Sequence, residues 1–143
     1  MVVLDIVKTK AEPLPVIRQS DSVLAAVRKM LELKESGLLI MTPGGDPIGI
    51  ITEKDVMRLV AERFTQLDKV EVWEVMSKQL LTVAHTTLLD EALKLMTDKH
   101  IHHLPVMQDR KPVGLITLDD IIAAQLRRTE AEARALKDFI AQQ

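Results

Sequence analysis

The sequence predicts an α+β fold made of two copies of a β-α-β-β-α unit, related by pseudo-twofold symmetry, packed through their sheets and followed by a C-terminal helix. Three observations carry this. One short motif occurs twice, 65 residues apart: Gly49-Ile50-Ile51-Thr52-Glu53-Lys54-Asp55 returns as Gly114-Leu115-Ile116-Thr117-Leu118-Asp119-Asp120. The flanking segments also align, at an offset of 66: Ala26-Val27-Arg28-Lys29-Met30 with Ala92-Leu93-Lys94-Leu95-Met96, and Leu38-Leu39-Ile40-Met41 with Leu104-Pro105-Val106-Met107. Hydrophobic periodicity then switches between strand-like and helix-like in the same order within each half.

Short leading helices are expected first, since Leu4-Asp5-Ile6-Val7-Lys8 echoes Trp73-Glu74-Val75-Met76-Ser77. Val16-Ile17-Arg18 and Leu81-Thr82-Val83 are the first strands. Helical patterns follow, with Val23, Val27, Met30 and Leu31 on one face and Leu89, Leu93 and Met96 on its counterpart. Asp21-Ser22 and Thr86-Thr87 supply side-chain oxygens for the early N–H groups of these helices. Strand pairs come next, 38–41 with 48–51 and 104–107 with 113–116, joined by polar turns. The first turn, Thr42-Pro43-Gly44-Gly45-Asp46, is one residue longer than Gln108-Asp109-Arg110-Lys111, and a surface turn tolerates that difference. A second helix closes each half, from about Lys54 to Phe64 and from about Asp119 to Arg128, with Thr65–Glu71 as linker. The expected units are therefore 1–67 and 68–128, with 129–143 as a helical extension. In that extension Leu126, Ala133, Leu136 and Ile140 recur at helical spacing. The stripe fits packing on its own unit and fits a dimer contact equally, because an amphipathic face does not name its partner.

The 143 residues carry 19 basic and 21 acidic side chains, a net charge of -2, with the two signs interspersed. That balance argues against a nucleic-acid binder, which shows a basic surplus or stripe. No apolar run approaches the ~18 residues of a membrane span. The start, Met1-Val2-Val3-Leu4-Asp5, lacks the basic region and cleavage site of a secretory signal. Zero cysteines exclude disulfides, thiol nucleophiles and thiolate metal sites. A cytoplasmic location follows by elimination. No phosphate loop of Walker or Rossmann spacing, Gly-x-Ser-x-Gly or His-Glu-x-x-His is present, so no catalytic residues are assigned and an enzyme is not expected. Thr-x-x-Asp ahead of an apolar helix is, on its own, close to a capping box.

The order of elements and the doubled Gly-h-h-Thr-x-x-Asp (h apolar) resemble a tandem pair of CBS domains, the cystathionine-β-synthase repeat. His103-Leu104-Pro105-Val106 is similar to the family's second strand with its Leu-Pro-Val signature, and Val75-Met76-Ser77 to the start of a repeat. The likeness runs from about Leu4 to Arg128. It implies a stand-alone, non-enzymatic sensor that binds an adenosine-containing ligand (AMP, ADP, ATP, S-adenosylmethionine or NAD(H)) in clefts between the repeats. It also implies a homodimer of such modules and an effector protein acting in trans. The alternative is a ligand-free scaffold that only dimerises.

Within that resemblance the motif makes chemical sense as a ribose clamp. An ionised aspartate has two acceptor oxygens for the two hydroxyls of a diol, which marks Asp55 and Asp120. Thr52 and Thr117 add hydroxyls at a strand-to-helix junction, where free backbone N–H groups favour an anion. Lys54 and Asp119 stand beside the clamps, and Arg110 or Lys111 are further charge partners. With three aromatics in the chain, adenine walls would be aliphatic, from Val16, Ile17, Ile40, Ile51, Val83, Val106 and Ile116, with Pro105 alongside. For each of these, plain core packing is the competing reading. The family pattern implies a polar contact from the first strand, which Thr82 fits and Val16 does not. His102 and His103 resemble a phosphate-contacting His-Arg pair in the nucleotide-binding subunit of AMP-activated protein kinase, while their first-half equivalents are Ser36 and Gly37. Histidine in place of arginine weakens phosphate binding and admits a pH-sensitive site. A metal at His100 and His102 lacks the further ligands such a centre needs, so none is assigned. The Asp120 copy is thus expected to be the better-equipped site.

Overall fold

The computed structural model describes residues 1–10, 13–63, 66–77 and 79–142. The fold is α+β, with two three-stranded mixed sheets and a long C-terminal helix. In chain order the elements are α1 (Val3–Thr9), β1 (Val16–Arg18), α2 (Val23–Leu33), β2 (Gly37–Met41), β3 (Pro47–Thr52), α3 (Glu53–Arg63), α4 (Val72–Val75), β4 (Val83–Ala84), α5 (Leu89–Lys99), β5 (His103–Gln108), β6 (Lys111–Thr117) and α6 (Leu118–Ala141). Each sheet pairs its first strand parallel to its second and its second antiparallel to its third. The two registers match: Ile17 lies beside Ile40 as Val83 lies beside Val106, and Gly37 faces Thr52 as His103 faces Thr117. Both hairpins carry an irregularity at the equivalent step, Ile40/Met41 and Val106/Met107.

Local chemistry accounts for most boundaries. Ser22 caps α2, its side chain accepting from the Ala25 N–H at 3.0 Å, and Lys34 ends the helix in the left-handed region. The counterpart helix starts later than Thr86-Thr87 suggested: Leu88 is the N-cap of α5 and offers no side-chain acceptor. The chain start ties down that end instead. Val3 N–H donates to the Thr87 carbonyl and Leu89 N–H to that of Met1. The hairpin Gln108–Lys111 turns on Asp109 and Arg110, both at positive φ, the backbone of a two-residue turn that favours the sheet's twist.

The segments ahead of the two repeats change places. Val3 and Ile6 of α1 belong to the second repeat's core, with Val83, Leu89, Met96, Leu104, Val106, Ile116 and Ile121. Val70 and Val72 belong to the first repeat's core, with Ile17, Val23, Met30, Leu38, Ile40 and Ile51. Isolated bridges Val2–Leu88 and Ser22–Glu71 repeat the exchange symmetrically. The 65–71 linker is therefore packed where it is described, with a single 3-10 turn at Leu67–Lys69, and Val70 is buried. Phe64 and Thr65, assigned to a helix end and a linker start, lie outside the described residues, as does the terminal Gln143.

Alternation along a strand sends neighbouring side chains to opposite faces. Leu38 and Ile40 meet the first core, so Leu39 turns the other way and is still fully buried. Leu115 does the same in the second sheet, next to Pro105 across the ladder. On that face the repeats meet, Gly37 of β2 against the His103 ring of β5. At roughly 1.5–3 kcal/mol per buried aliphatic side chain, the burial of Leu39 and Leu115 stabilises the fold. α6 is one helix of 24 residues, and its last turns, 129–142, lie exposed. Among the described residues no helix is long and apolar enough to cross a membrane.

Candidate functional site

Each motif ends a strand and starts a helix, and both aspartates are used locally. Thr117 N–H donates to Asp120 Oδ2 at 2.9 Å and Asp120 N–H donates to Thr117 Oγ1 at 3.1 Å, a complete capping box for α6. In the first copy Thr52 N–H donates to Asp55 Oδ2 at 2.8 Å, and the Thr52 hydroxyl donates to the same oxygen at 3.2 Å. Arg58 lies 3.5 Å from Asp55 Oδ1, an ion pair in which the guanidinium is exposed and the carboxylate largely covered. The strand opposite fixes each helix start as well: Glu53 N–H donates to the Ser36 carbonyl and Leu118 N–H to that of His102. The bond from the threonine N–H to the carboxylate is therefore present in both copies, while the threonine hydroxyl accepts in the second and donates in the first, and each carboxylate keeps acceptor capacity over.

Between the repeats lies a cleft of about 380 Å³. Ile50, Thr52, Glu53, Lys54 and Asp55 form one wall and His100–His103 with Thr117, Leu118 and Asp119 the other. Ser36, Ser77, Gln79 and Leu81 complete it. Of the residues singled out from sequence, Thr52, Lys54, Asp55, His102, His103, Thr117 and Asp119 converge here. The histidines therefore face the Asp55 copy, although sequence order had grouped them with Asp120.

Asp120 sits elsewhere. Its Oδ2 accepts a hydrogen bond from Lys10 Nζ at 2.9 Å, and the same ammonium donates to the Leu115 carbonyl at 3.0 Å and lies 3.6 Å from Glu35. The space beside it, lined by Lys10, Pro13, Pro15, Glu35 and Leu115 among others, is about 30 Å³. The expected ranking is thereby reversed in geometry: the roomy cleft lies at Asp55. Thr82 is exposed, precedes β4 and is not among the residues that line the cleft. Ile17, Ile40 and Ile51 pack in the first core, and Val83, Val106 and Ile116 in the second. Neither those nor half-buried Val16 and buried Pro105 line the cleft; the core reading describes the buried ones. Arg110 and Lys111 stay at an exposed hairpin tip.

The cleft's aliphatic surface comes from Ile50, Leu81, Ile101 and Leu118, which the sequence reading passed over. A signal existed for Ile50: in Gly-Ile-Ile-Thr only one of two adjacent apolar residues can face the same core. His100 caps α5 in the left-handed region and β5 begins at His103, so His100 and His102 are not two positions of one strand. His103 is the residue at the centre. Its Nε2 is 2.8 Å from Ser36 Oγ across the repeat boundary, and a Cβ on Gly37 would stand 3.0 Å from its ring. Burial holds its imidazole below the usual range, with His102 and Lys10 acting in the same direction and Asp120 and Asp55 opposing. His103 is consequently neutral at pH 7 and serves as a hydrogen-bonding group there.

Known proteins share this fold. The CBS domain model matches residues 3–62 and 72–127. The CBS domain-containing protein CBSX3, mitochondrial, of Arabidopsis thaliana is 30% identical over 124 residues, covering 84% of this chain, which spans 60% of that relative's length. A putative signal-transduction protein with CBS domains from Burkholderia ambifaria superposes with a TM-score of 0.81 at 30% identity, over 89% of this chain and 95% of the other. The CBS domain pair of protein MJ0100, solved in complex with 5-methylthioadenosine and S-adenosyl-L-methionine, gives 0.76 at 25% identity, over 90% and 98%.

Proposed function

Because the chain belongs to the CBS domain family, as a tandem pair of that domain, we propose that it is a non-catalytic sensor whose adenosine-containing ligand sits in the cleft at Asp55. The observation that carries this is the convergence, around about 380 Å³ of open space, of Asp55 and Thr52 from one repeat with His102 and His103 from the other. A carboxylate that already caps its helix through Oδ2 keeps acceptor sites for the ribose diol. Ile50, Leu81, Ile101 and Leu118 offer the adenine an aliphatic slot. Lys54, Thr117 and Asp119 would meet the group on the 5′ carbon.

Charge narrows the ligand. Among the described lining residues one ammonium, Lys54, stands against the carboxylates of Glu53, Asp55 and Asp119, while burial keeps His103 uncharged. A triphosphate or a dinucleotide is a poor match for that balance. S-adenosylmethionine, whose sulfonium is cationic, and uncharged 5-methylthioadenosine fit better, with AMP next. The relative MJ0100, whose CBS pair was solved with the first two, supports an adenosine ligand of this class. Ligand bound across the boundary shifts the angle between repeats only by its differential affinity for two arrangements. The output passes to an effector in trans and to a second copy of the chain. The exposed apolar residues Leu126, Leu136, Phe139 and Ile140 of α6 are the face we assign to the second copy.

A second reading, a scaffold without ligand, is favoured by one observation: both aspartates cap helices and have a reason to persist without any ribose. Calorimetry and thermal shift with AMP, ADP, ATP, S-adenosylmethionine, 5-methylthioadenosine and NADH separate the two. A ligand at a hundred times its dissociation constant adds ~2.7 kcal/mol of stability. Asp55→Ala removes charge-assisted hydrogen bonds of about 1.5–3 kcal/mol and should weaken binding roughly 10- to 100-fold. No response to any of the six compounds establishes the scaffold reading instead.

A further inference from the structure

Resting on the reading of the Asp55 cleft as an adenosine site, we infer that the Asp120 junction is a second, latent site for the same ligand class, held shut by the Lys10 side chain. The two spaces are counterparts under the internal repeat. Ile50 of the open cleft corresponds to Leu115 of the closed one, Gln79 and Leu81 to Pro13 and Pro15, and Ile101 to Glu35. The clamp residues correspond too, Thr52 and Asp55 to Thr117 and Asp120, with the same helix-start geometry. What differs is the occupant. At the Asp120 junction a primary ammonium points at the carboxylate oxygen that a ribose hydroxyl would address.

The lysine is held by three groups that the open cleft does not duplicate. Lys10 Nζ donates to Asp120 Oδ2 at 2.9 Å and to the Leu115 carbonyl at 3.0 Å, and Glu35 lies 3.6 Å away. Glu35 stands where the open cleft has Ile101, so at this junction an acid takes the place of an aliphatic side chain and lies 3.6 Å from the Lys10 ammonium. An ammonium has three donors, and here two are spent on hydrogen bonds to a carbonyl and a carboxylate while a second carboxylate adds a longer ion pair. The consequence in space is direct: about 30 Å³ remains where the counterpart offers about 380 Å³. The pair of repeats is thus a one-ligand sensor made from a two-site frame, and a lysine side chain sets the stoichiometry. Displacing it would require a ligand to replace all three interactions at once.

Isothermal titration of the full chain with AMP and with S-adenosylmethionine reads this stoichiometry. The expected result is one site per wild-type chain, lost with Asp55→Ala and unchanged in number by Asp120→Asn. Lys10→Ala is expected to double the number to two, and adding Asp120→Ala to it to return the number to one. Lys10→Met, which keeps the aliphatic stem without the charge, should also bind above one equivalent. A folded Lys10→Ala or Lys10→Met protein that still binds one equivalent, or none, overturns the latch. So does loss of the wild-type site on Asp120→Asn, which needs no lysine variant. Two sites in the wild type overturn the latch and leave the Asp55 reading standing. No binding of either compound to wild type overturns both.

Discussion

The Asp55 and Asp120 junctions have the same motif, the same bond from the threonine N–H to the aspartate and the same strand register, yet one is open and the other filled. The difference comes from residues outside the motif. At Asp55 the opposite side carries Ile101 and the histidines; at Asp120 it carries Glu35 and Lys10. A motif at a strand-to-helix turn thus dictates where a carboxylate sits, and residues far along the chain decide what that carboxylate is available for. Lys10 and Asp120 are separated by 110 residues.

The largest test of this near-symmetry lies in its two glycines. A Cβ on Gly49 would stand 2.7 Å from Met76 Sδ and 2.8 Å from the Ser77 carbonyl oxygen, whereas one on Gly114 would stand 2.5 Å from Val7 Cγ2. Both positions take close contact from the exchanged leading segments, α4 and α1. Overpacking of this kind costs typically 1–3 kcal/mol, so Gly49→Ala and Gly114→Ala should each lower the urea midpoint visibly. The pair differ in what relieves them. Val7→Ala should recover most of the Gly114→Ala loss, because only side-chain atoms crowd that site. Met76→Ala should recover less of the Gly49→Ala loss, since the Ser77 backbone remains. Equal rescue in the two double-mutant cycles would show that the backbone contact at Gly49 is not limiting.

Next in size is the aspartate pair. Asp120→Ala removes a cap interaction and strips Lys10 of its closest partner; Asp55→Ala removes a cap interaction and a longer, 3.5 Å pair with the exposed Arg58 side chain. Loss of a cap costs about 1 kcal/mol, and an i,i+3 pair held by an exposed arginine at 3.5 Å contributes little. Asp120→Ala should therefore be the more destabilising by about 1 kcal/mol, the typical value of one further hydrogen bond. In a Lys10→Met background the two substitutions should cost nearly the same. A gap that persists there would mean the asymmetry has another source. On ligand binding the order is expected to reverse, with Asp55→Ala the more damaging.

Which parts of this were legible in the sequence follows from the range of the interactions. Strand order, both hairpins and the cap at Ser22 rest on local periodicity and turn chemistry, and they could be read directly. Ser36, Ile50 and Leu81 line the cleft because two repeats meet, a relation no local window contains. The crossing of α1 to the second core and of the segment before α4 to the first has the same character: apolar Val3, Ile6, Val70 and Val72 announce burial, not the partner. Thr86-Thr87 failed as a helix start because the chain's first residues took over that role at Leu89. The histidines line the cleft that holds Asp55, although His103 feels both aspartates, and the reason is topological. β5 and β6 are neighbours in one sheet, but the start of β5 points across to the other repeat, where His103 meets Ser36.

The smallest expected effect is also the one that joins the two junctions, and it belongs to His103. Its folded-state titration lies below the ordinary 6.5, because burial penalises the imidazolium and because His102 and Lys10 add repulsion, against attraction from Asp120 and Asp55. A depressed value means the unfolded chain binds more protons than the folded one in the window below about 6.5, so stability falls as pH drops through that window. Above it this residue contributes no slope. His103→Gln, which preserves a polar partner for Ser36, should flatten the acid limb of a stability profile measured by urea unfolding between pH 5 and 8. Lys10→Met should flatten it less, by removing one of the repelling cations while leaving the burial. If Lys10→Met leaves the His103 titration, followed by NMR, where it was, then the lysine that closes the Asp120 junction is not felt at the open one, and the two sites are electrostatically independent.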